Sequence, residues 1–403
     1  MIYRLEIENF YSIRDRQVLD LCVSDKARRN PERFVAIHPG SPKRVPKVVV
    51  TFGANGAGKT NLLRALAFIA WFVRDSFQLQ PEAAIPVVPF NDQESSGRET
   101  RLALSLGGPT NLGQVNESEA SYGTYDYELV IAHADRSNRV VRESLRHRKH
   151  GSRRSFRVFE RNERGEVLDG ENFSLARYRS VTEKLRPNTS VISTLAQFDH
   201  APSLTLRNAA RSVFSNIFIV KQDYTDDQLL AAIDSHRALL DALNREVPRV
   251  DFGIRGLQVV PGLRGPTVQF THQGLDYPVP WHLESHGTQS FIRSFPLIAN
   301  ALGSGGLAII DELDSSLHPL MLVEVLRWFY DRERNPQNAR LWVTCQNAAL
   351  LEELEKEEIV FCDKDSLGRT RIYGLQDIKT VRRIDNYYRK YLSGAYGAVP
   401  AIG

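Results

Sequence analysis

Eight consecutive residues, Gly53-Ala54-Asn55-Gly56-Ala57-Gly58-Lys59-Thr60, have the types and spacing that hold a polyphosphate. The glycines let backbone N–H groups approach phosphate oxygens without a Cβ in the way. Lys59 is a mobile point charge for the β- and γ-phosphates, and the Thr60 hydroxyl is an oxygen ligand for Mg²⁺. Asn61 continues into an apolar helix, whose N-terminus adds partial positive charge at the same place. A second group is Asp311-Glu312, delivered by the apolar run Leu307-Ala308-Ile309-Ile310. Asp311 is placed to serve the Mg²⁺ shell, and Glu312 to polarise an attacking water. A third is Glu284-Ser285-His286-Gly287-Thr288-Gln289-Ser290. Ser285 and Gly287 at a helix start make either a cap or an anion site, and the position just before the acidic strand favours the anion site.

These groups need particular elements behind them. Lys47-Val48-Val49-Val50-Thr51-Phe52 is a continuous β-branched run, the pattern of a parallel strand buried on both faces. It leads into the glycine loop and the helix 61–73. Toward the C-terminus, helix 290–302, strand 307–310, helix 319–332, strand 340–345, helix 348–356 and strand 359–362 alternate, which implies a parallel sheet. The N-terminus gives two short strands, 2–7 and 17–21, followed by a loop over 30–46. From 98 to 169, short alternating segments separated by Gly, Asn, Asp and Ser indicate an antiparallel meander. A helical pattern covers 222–246, and short strands cover 248–277. The predicted fold is α/β, with a P-loop parallel or mixed sheet and an inserted β-rich lid subdomain. The division is 1–97 (core with the P-loop), 98–190 (lid), 191–280 (helical and short-strand connection) and 281–403 (remainder of the core).

The chain has 403 residues, more than one typical domain. Its 42% hydrophobic and 25% charged content is that of a soluble chain able to bury a sizeable core. A net charge of +4 is too small to announce nucleic acid or membrane binding. No apolar stretch is long enough to span a bilayer, and the N-terminus lacks a signal-peptide apolar core. The cysteines, Cys22, Cys345 and Cys362, are scattered without a CxxC pair, which argues against disulfides and a cysteine zinc site. A cytoplasmic location is expected.

P-loop, Ser-x-Gly-Thr motif and Asp-Glu strand, in this order, resemble the ABC-type ATPase heads of the SMC, RecF and OLD superfamily. The resemblance is strongest to stand-alone abortive-infection ATPases of the RloA/AbiL kind. It runs nearly end to end, through Asn9-Phe10-Tyr11-Ser12, Glu143-Ser144-Leu145, Phe159-Glu160-Arg161 and Asp251-Phe252-Gly253-Ile254. It continues in Asp311-Glu312-Leu313-Asp314-Ser315-Ser316-Leu317-His318-Pro319 and in the tail from Tyr391 to Pro400. The resemblance implies two heads facing head-to-tail around two Mg·ATP, with Ser285 and Gly287 of one completing the P-loop site of the other. Leu313 to His318 would be the D-loop across that interface. It further implies a homodimer or larger homo-oligomer that hydrolyses ATP and senses or regulates a separately encoded effector in antiphage defence. The effector would be a Toprim or RloB-like nuclease. Such heads usually carry histidine where this chain has Gln346, which can donate to a γ-phosphate oxygen but carries no charge, so slow hydrolysis is expected. Gln93 is a weak candidate for the Q-loop.

Two other functions fit parts of the pattern: a RecF-like DNA-repair ATPase, and a scaffold that binds ATP without useful turnover. The stretch from Thr60 to Ser285 has no heptads for coiled-coil arms, and too little chain follows Cys362 for a Toprim domain. Asp363 and Asp365 read as a turn. The arginines and lysine from Arg142 to Arg161 are a solvated meander face, a phosphate-backbone surface or a dock for an acidic partner. His147 and His150 within them are expected to be solvent-exposed. His318 reads as a capping or packing residue. The tyrosine-rich tail either packs over the sheet edge or binds a partner.

Overall fold

The computed structural model describes residues 1–24, 27, 30–113, 121–133, 138–219, 226–250, 253–262, 265–315 and 317–400. Asp251, Phe252 and Ser316 of the motifs above lie outside the described residues. The strands are β1 (Ile2–Glu8), β2 (Gln17–Asp20), β3 (Phe34–Ala36), β4 (Arg44–Pro46), β5 (Val48–Phe52), β6 (Thr100–Pro109), β7 (Tyr122–Ala132), β8 (Arg139–Lys149) and β9 (Phe156–Arg161). They continue as β10 (Val167–Asp169), β11 (Val213–Ser215), β12 (Ile254–Gly262), β13 (Gly265–His272), β14 (Val279–Pro280), β15 (Leu307–Ile310), β16 (Arg340–Thr344), β17 (Ile359–Lys364) and β18 (Thr370–Gly374). The α-helices are α1 (Lys59–Asp75), α2 (Gln93–Ser96), α3 (Arg179–Thr182), α4 (Val191–Leu195), α5 (Ala201–Arg211), α6 (Asp226–Ser235), α7 (Arg237–Val250), α8 (His286–Ser304), α9 (Pro319–Tyr330) and α10 (Tyr387–Leu392).

A six-stranded sheet runs in the order β11-β15-β16-β5-β17-β18, parallel except where β18 returns antiparallel to β17. Every residue of β5, β15 and β16 is buried, as the unbroken apolar runs require. Alternation along β5 divides its side chains between two cores. Val49 joins the core under α1, whereas Val48, Val50 and Phe52 join the core formed with α8 and α9. Because β16 lies between β15 and β5, with Val343 opposite both Ile310 and Val50, the carboxyl ends of three adjacent strands converge. A ligand site at those ends is the usual consequence in open α/β sheets.

The second large sheet is antiparallel, in the order β10-β9-β8-β7-β6-β1-β2. The meander thus has no sheet of its own: β1 pairs with β6 over Ile2–Glu8, so the N-terminal strands and the 98–190 strands form one surface. Helix α1 explains the arrangement. It is apolar almost all round, with Leu62, Leu63, Leu66, Phe68, Ile69 and Phe72 buried, and it fills the space between the two sheets.

Glu143 of β8, fully buried, ties this sheet to the rest of the core. Its carboxylate accepts from Tyr127 Oη at 3.0 Å, Ser190 Oγ at 2.6 Å and the Val191 amide at 2.8 Å. Burial raises its pKa, opposed by these bonds and by the Arg161 charge. Glu143→Ala strips the counter-charge from buried Arg161 and leaves a tyrosine and a serine hydroxyl without an acceptor. We expect it to cost about 3–5 kcal/mol, read as a lower urea midpoint, with Glu143→Gln costing less.

Local readings change in the structure, and one open alternative is resolved. The 30–46 loop contains the hairpin β3–β4. Residues 348–356 form 3₁₀ turns, Ala348–Glu353 and then Lys356–Glu358, in place of an α-helix. There Asn347 Oδ1 accepts from the Ala349 amide and the Glu358 carboxylate from the Glu355 amide, side-chain bonds that compete with helix propagation. The tail packs over the sheet: Tyr387, Tyr391 and Tyr396 are buried, with the Tyr391 ring stacked 5.4 Å from Phe361.

Candidate nucleotide site

The loop after β5 is shaped by two glycines. Gly53 has φ +151°, and a Cβ there would lie 2.2 Å from the Cys362 carbonyl oxygen. Gly58, the N-cap of α1, has φ +99°, and its Cβ would lie 2.2 Å from Thr370 Oγ1 and 2.8 Å from Ser12 Oγ. Those two hydroxyls are 2.8 Å apart, Asn61 Nδ2 donates to Ser12 Oγ at 2.7 Å, and Thr370 Oγ1 donates to the Ala57 carbonyl at 2.9 Å. The loop is therefore pinned from the side by β18 and by the turn after β1. Ala54, Asn55, Gly56 and Ala57 complete the curve, with Asn55 and Gly56 exposed at its tip. Lys59, buried, turns its Nζ back across the loop to the carbonyls of Gly53 (2.8 Å) and Ala54 (3.1 Å).

Thr60 Oγ1 donates to Asp311 Oδ2 at 2.8 Å, which joins the first turn of α1 to the end of β15. Asp311 Oδ1 accepts from Thr344 Oγ1 at 2.6 Å, and Thr344 Oγ1 accepts in turn from the Glu312 amide at 2.7 Å. Asn216, just past β11, brackets the same residue: its Oδ1 accepts from the Asp311 amide at 2.8 Å and its Nδ2 donates to the Asp311 carbonyl at 3.0 Å. Glu312 follows with φ +54°, a strained conformation for a glutamate, and its side chain is exposed. Asp314 Oδ2 accepts from the amides of Gln346 and Asn347, both at 2.7 Å, which leaves the Gln346 side chain exposed at the end of β16.

This donor set fits Mg²⁺ with a triphosphate. Thr60 and Asp311 place two oxygens together, and Mg²⁺ takes one or two protein oxygens while phosphates and water fill its octahedron. Glycine at 53 and 58 lets the loop curl tightly against Cys362, Thr370 and Ser12 where a Cβ would clash, and a tightly curled loop at a helix N-terminus is the form in which backbone amides surround phosphates.

Ser285 caps α8: its Oγ accepts from the Thr288 amide at 3.1 Å. Ser285 is exposed and Gly287 half-buried, while Glu284 beneath them is buried and accepts from His272 Nε2. Among the described residues, neither Ser285 nor Gly287 hydrogen-bonds to the P-loop of its own chain.

Thr344, Asn216 and Thr370 were missed from sequence. Thr344 stands in the Thr344-Cys345-Gln346-Asn347 strand end and could have been read there; Asn216 and Thr370 carry no sequence signal. Gln93 lies exposed in α2, and its side chain makes no hydrogen bond to Thr60 or Asp311. The basic cluster divides. Arg161 is buried, with Nη1 donating to the Thr189 carbonyl at 2.8 Å. Arg142 pairs with Glu160 at 3.2 Å and Lys149 with Glu171 at 2.9 Å, while Arg148 and Arg153 are exposed. His147 is buried against Tyr125 and Phe156, contrary to the expected exposure, because it points inward from β8; His150 is exposed. Among the described residues, no group of three His, Cys, Asp or Glu is arranged to hold a metal. His318 caps α9, its Nδ1 accepting from the Leu320 amide at 3.3 Å.

A family described as "AAA domain, putative AbiEii toxin, Type IV TA system" matches residues 48–344, from β5 to the end of β16. The chain belongs to this AAA family. The match carries the P-loop, the Ser285 segment and the Asp311-Glu312 strand together. No curated protein matches it significantly. Among solved structures it is similar to an SMC head domain from Thermotoga maritima, at 14% identity over 93% of this chain and 98% of that one, with a TM-score of 0.40. It is also similar to an SMC head bound to the C-terminal winged-helix domain of ScpA, at 11% identity over 93% and 97%, with a TM-score of 0.44. Among the described residues of this AAA-family chain, no helix is long and apolar enough to cross a membrane.

Proposed function

We propose that the chain is a Mg²⁺-dependent ATP hydrolase that closes head-to-tail with a second copy around two nucleotides. The observation that carries this is the pairing of Thr60 with Asp311 beside exposed Glu312, while exposed Ser285 and half-buried Gly287 are unattached to their own P-loop. In this reading Lys59 and the amides of residues 53–61 bind the β- and γ-phosphates, and Thr60 and Asp311 hold Mg²⁺. Glu312 orients the water, and Gln346 donates to the γ-phosphate. An uncharged glutamine gives less charge stabilisation than a protonated histidine, so turnover is slow. Ser285 and Gly287 at the N-terminus of α8 contact the γ-phosphate held by the partner copy.

The closed dimer is the active form of a sensor or regulator in bacterial antiphage defence, acting on a separately encoded nuclease effector in the cytoplasm. The description of the family, with its abortive-infection and toxin–antitoxin context, supports this role. A RecF-like repair ATPase is the second reading: Arg146, Arg148, Arg153, Arg154 and Arg157 of the lid are exposed, whereas Arg161 is buried and Arg142 and Lys149 pair with carboxylates.

Subunit mixing tests the composite site. Lys59→Ala and Ser285→Arg should each abolish ATP hydrolysis alone, whereas mixing them should restore activity, because the mixed dimer keeps one site with an intact P-loop and an intact Ser285. Mixtures that stay inactive while both variants remain folded and exchange subunits sink the head-to-tail arrangement. The effector is sought by purifying the protein with its neighbouring gene products, with and without ATP. An ATP-responsive complex is expected; a lone dimer carrying nucleic acid overturns the effector reading.

A further inference from the structure

At the far end of the parallel sheet from the P-loop lies a cavity of about 350 Å³. Its walls include Leu66, Ile69 and Val73 of α1, Leu104 and Leu106 of β6, and Ala210 of α5. Leu66, Ile69, Val73 and Leu104 belong to the buried core, while Leu106 and Ala210 are half-buried at its margin. Arg340, the first residue of β16, lines the same space and is only 7% exposed.

The arginine is out of place in such a wall. Its Nη1 donates to the Ile2 carbonyl at 2.8 Å, and among the described residues no carboxylate lies within ion-pair distance of its guanidinium. Burial alone drives its pKa down to about 10. Buried charges in folded proteins are paired, because an uncompensated one costs several kcal/mol. The other buried arginine described above, Arg161, has the negative charge of Glu143 near enough to oppose its desolvation, although the two form no direct ion pair. Arg340 has the cost without the compensation, and it faces an apolar space of small-ligand size.

We propose that this cavity binds a single-chain carboxylate amphiphile, a free medium-chain fatty acid, with its carboxylate on the Arg340 guanidinium and its chain along α1. The planar guanidinium fork matches a carboxylate, and one arginine with one nitrogen already committed balances a single negative charge. The volume takes one chain of moderate length, which separates a free fatty acid from a two-chain membrane lipid. The site is independent of the ATPase reading, since neither Arg340 nor the cavity wall touches the P-loop or Asp311.

The test is calorimetric titration of the full chain with decanoate and, separately, with decan-1-ol, both below micelle concentrations. Decanoate should bind saturably and about tenfold or more tightly than the alcohol, the advantage of a charge-assisted over a neutral hydrogen bond. Arg340→Met, which removes the buried charge and keeps an apolar side chain of similar length, should erase that difference. Ala210→Phe, which fills the cavity from α5, should abolish binding of both probes. Absence of saturable decanoate binding overturns the proposal, as does equal affinity for acid and alcohol in the unaltered protein. Unchanged decanoate binding by Ala210→Phe also overturns it. Should Arg340→Met fail to fold, the acid–alcohol comparison and Ala210→Phe still decide.

Discussion

Glu312→Gln should lower kcat for ATP hydrolysis by about 10²–10⁴-fold while nucleotide affinity stays within a few-fold of the unaltered protein. The glutamine preserves the shape of an exposed side chain and leaves the φ of +54° as it is, so the fold and the Thr60–Asp311 pair are untouched. What is lost, on the proposed role of Glu312, is the negative charge that draws a proton from the attacking water. Because chemistry stops while closure does not, ATP should hold the dimer together. Light scattering should show a dimer that persists in ATP, where the unaltered protein reopens as ATP is consumed. A variant that keeps its rate would move the general base elsewhere. A variant that loses rate and nucleotide affinity together would make Glu312 a binding residue.

Thr344→Val is the second large effect, and it follows from a bond network rather than a motif. The Thr344 hydroxyl donates to Asp311 Oδ1 and accepts from the Glu312 amide, so one oxygen sets both the carboxylate proposed to hold the metal and the backbone of the proposed base. Valine keeps the shape and deletes both bonds. Groups that orient metal ligands typically contribute 10–100-fold to metal affinity or activity. The expected result is about that loss in kcat/KM, with part of it recovered at high Mg²⁺ because a loosened Asp311 binds the ion more weakly. A loss that Mg²⁺ cannot touch would assign Thr344 to Glu312 alone. Thermal unfolding should shift only modestly, since Thr344 is one bond among many in a fully buried strand.

Much of this site is legible in the chain because its parts are local. Gly53 to Thr60 works through the backbone conformations that glycine permits and through residues within one helical turn. The four apolar residues before Asp311 announce a buried strand whose end must present the carboxylate. The family match over 48–344 covers the same segments. The hydrogen-bond partners are another matter. Asn216 brackets Asp311 and Thr370 seats Gly58 across wide gaps in sequence, and neither sits in a recognisable pattern. His147 and Arg161 look like members of a basic surface until the register of β8 and β9 turns them inward, since a strand presents alternate residues to opposite faces.

The sequence by itself determined the nucleotide loop, the acidic strand, the helix-capping serine and the buried parallel strands, since each depends on backbone preference and hydrophobic period over a few residues. Only the tertiary structure decided which hydroxyls and amides surround Thr60 and Asp311. It joined the N-terminal strands to the inserted meander in one sheet, and it left Arg340 without a counter-charge inside an apolar cavity. Those outcomes are set by strand order and register between distant segments, which local preference does not encode.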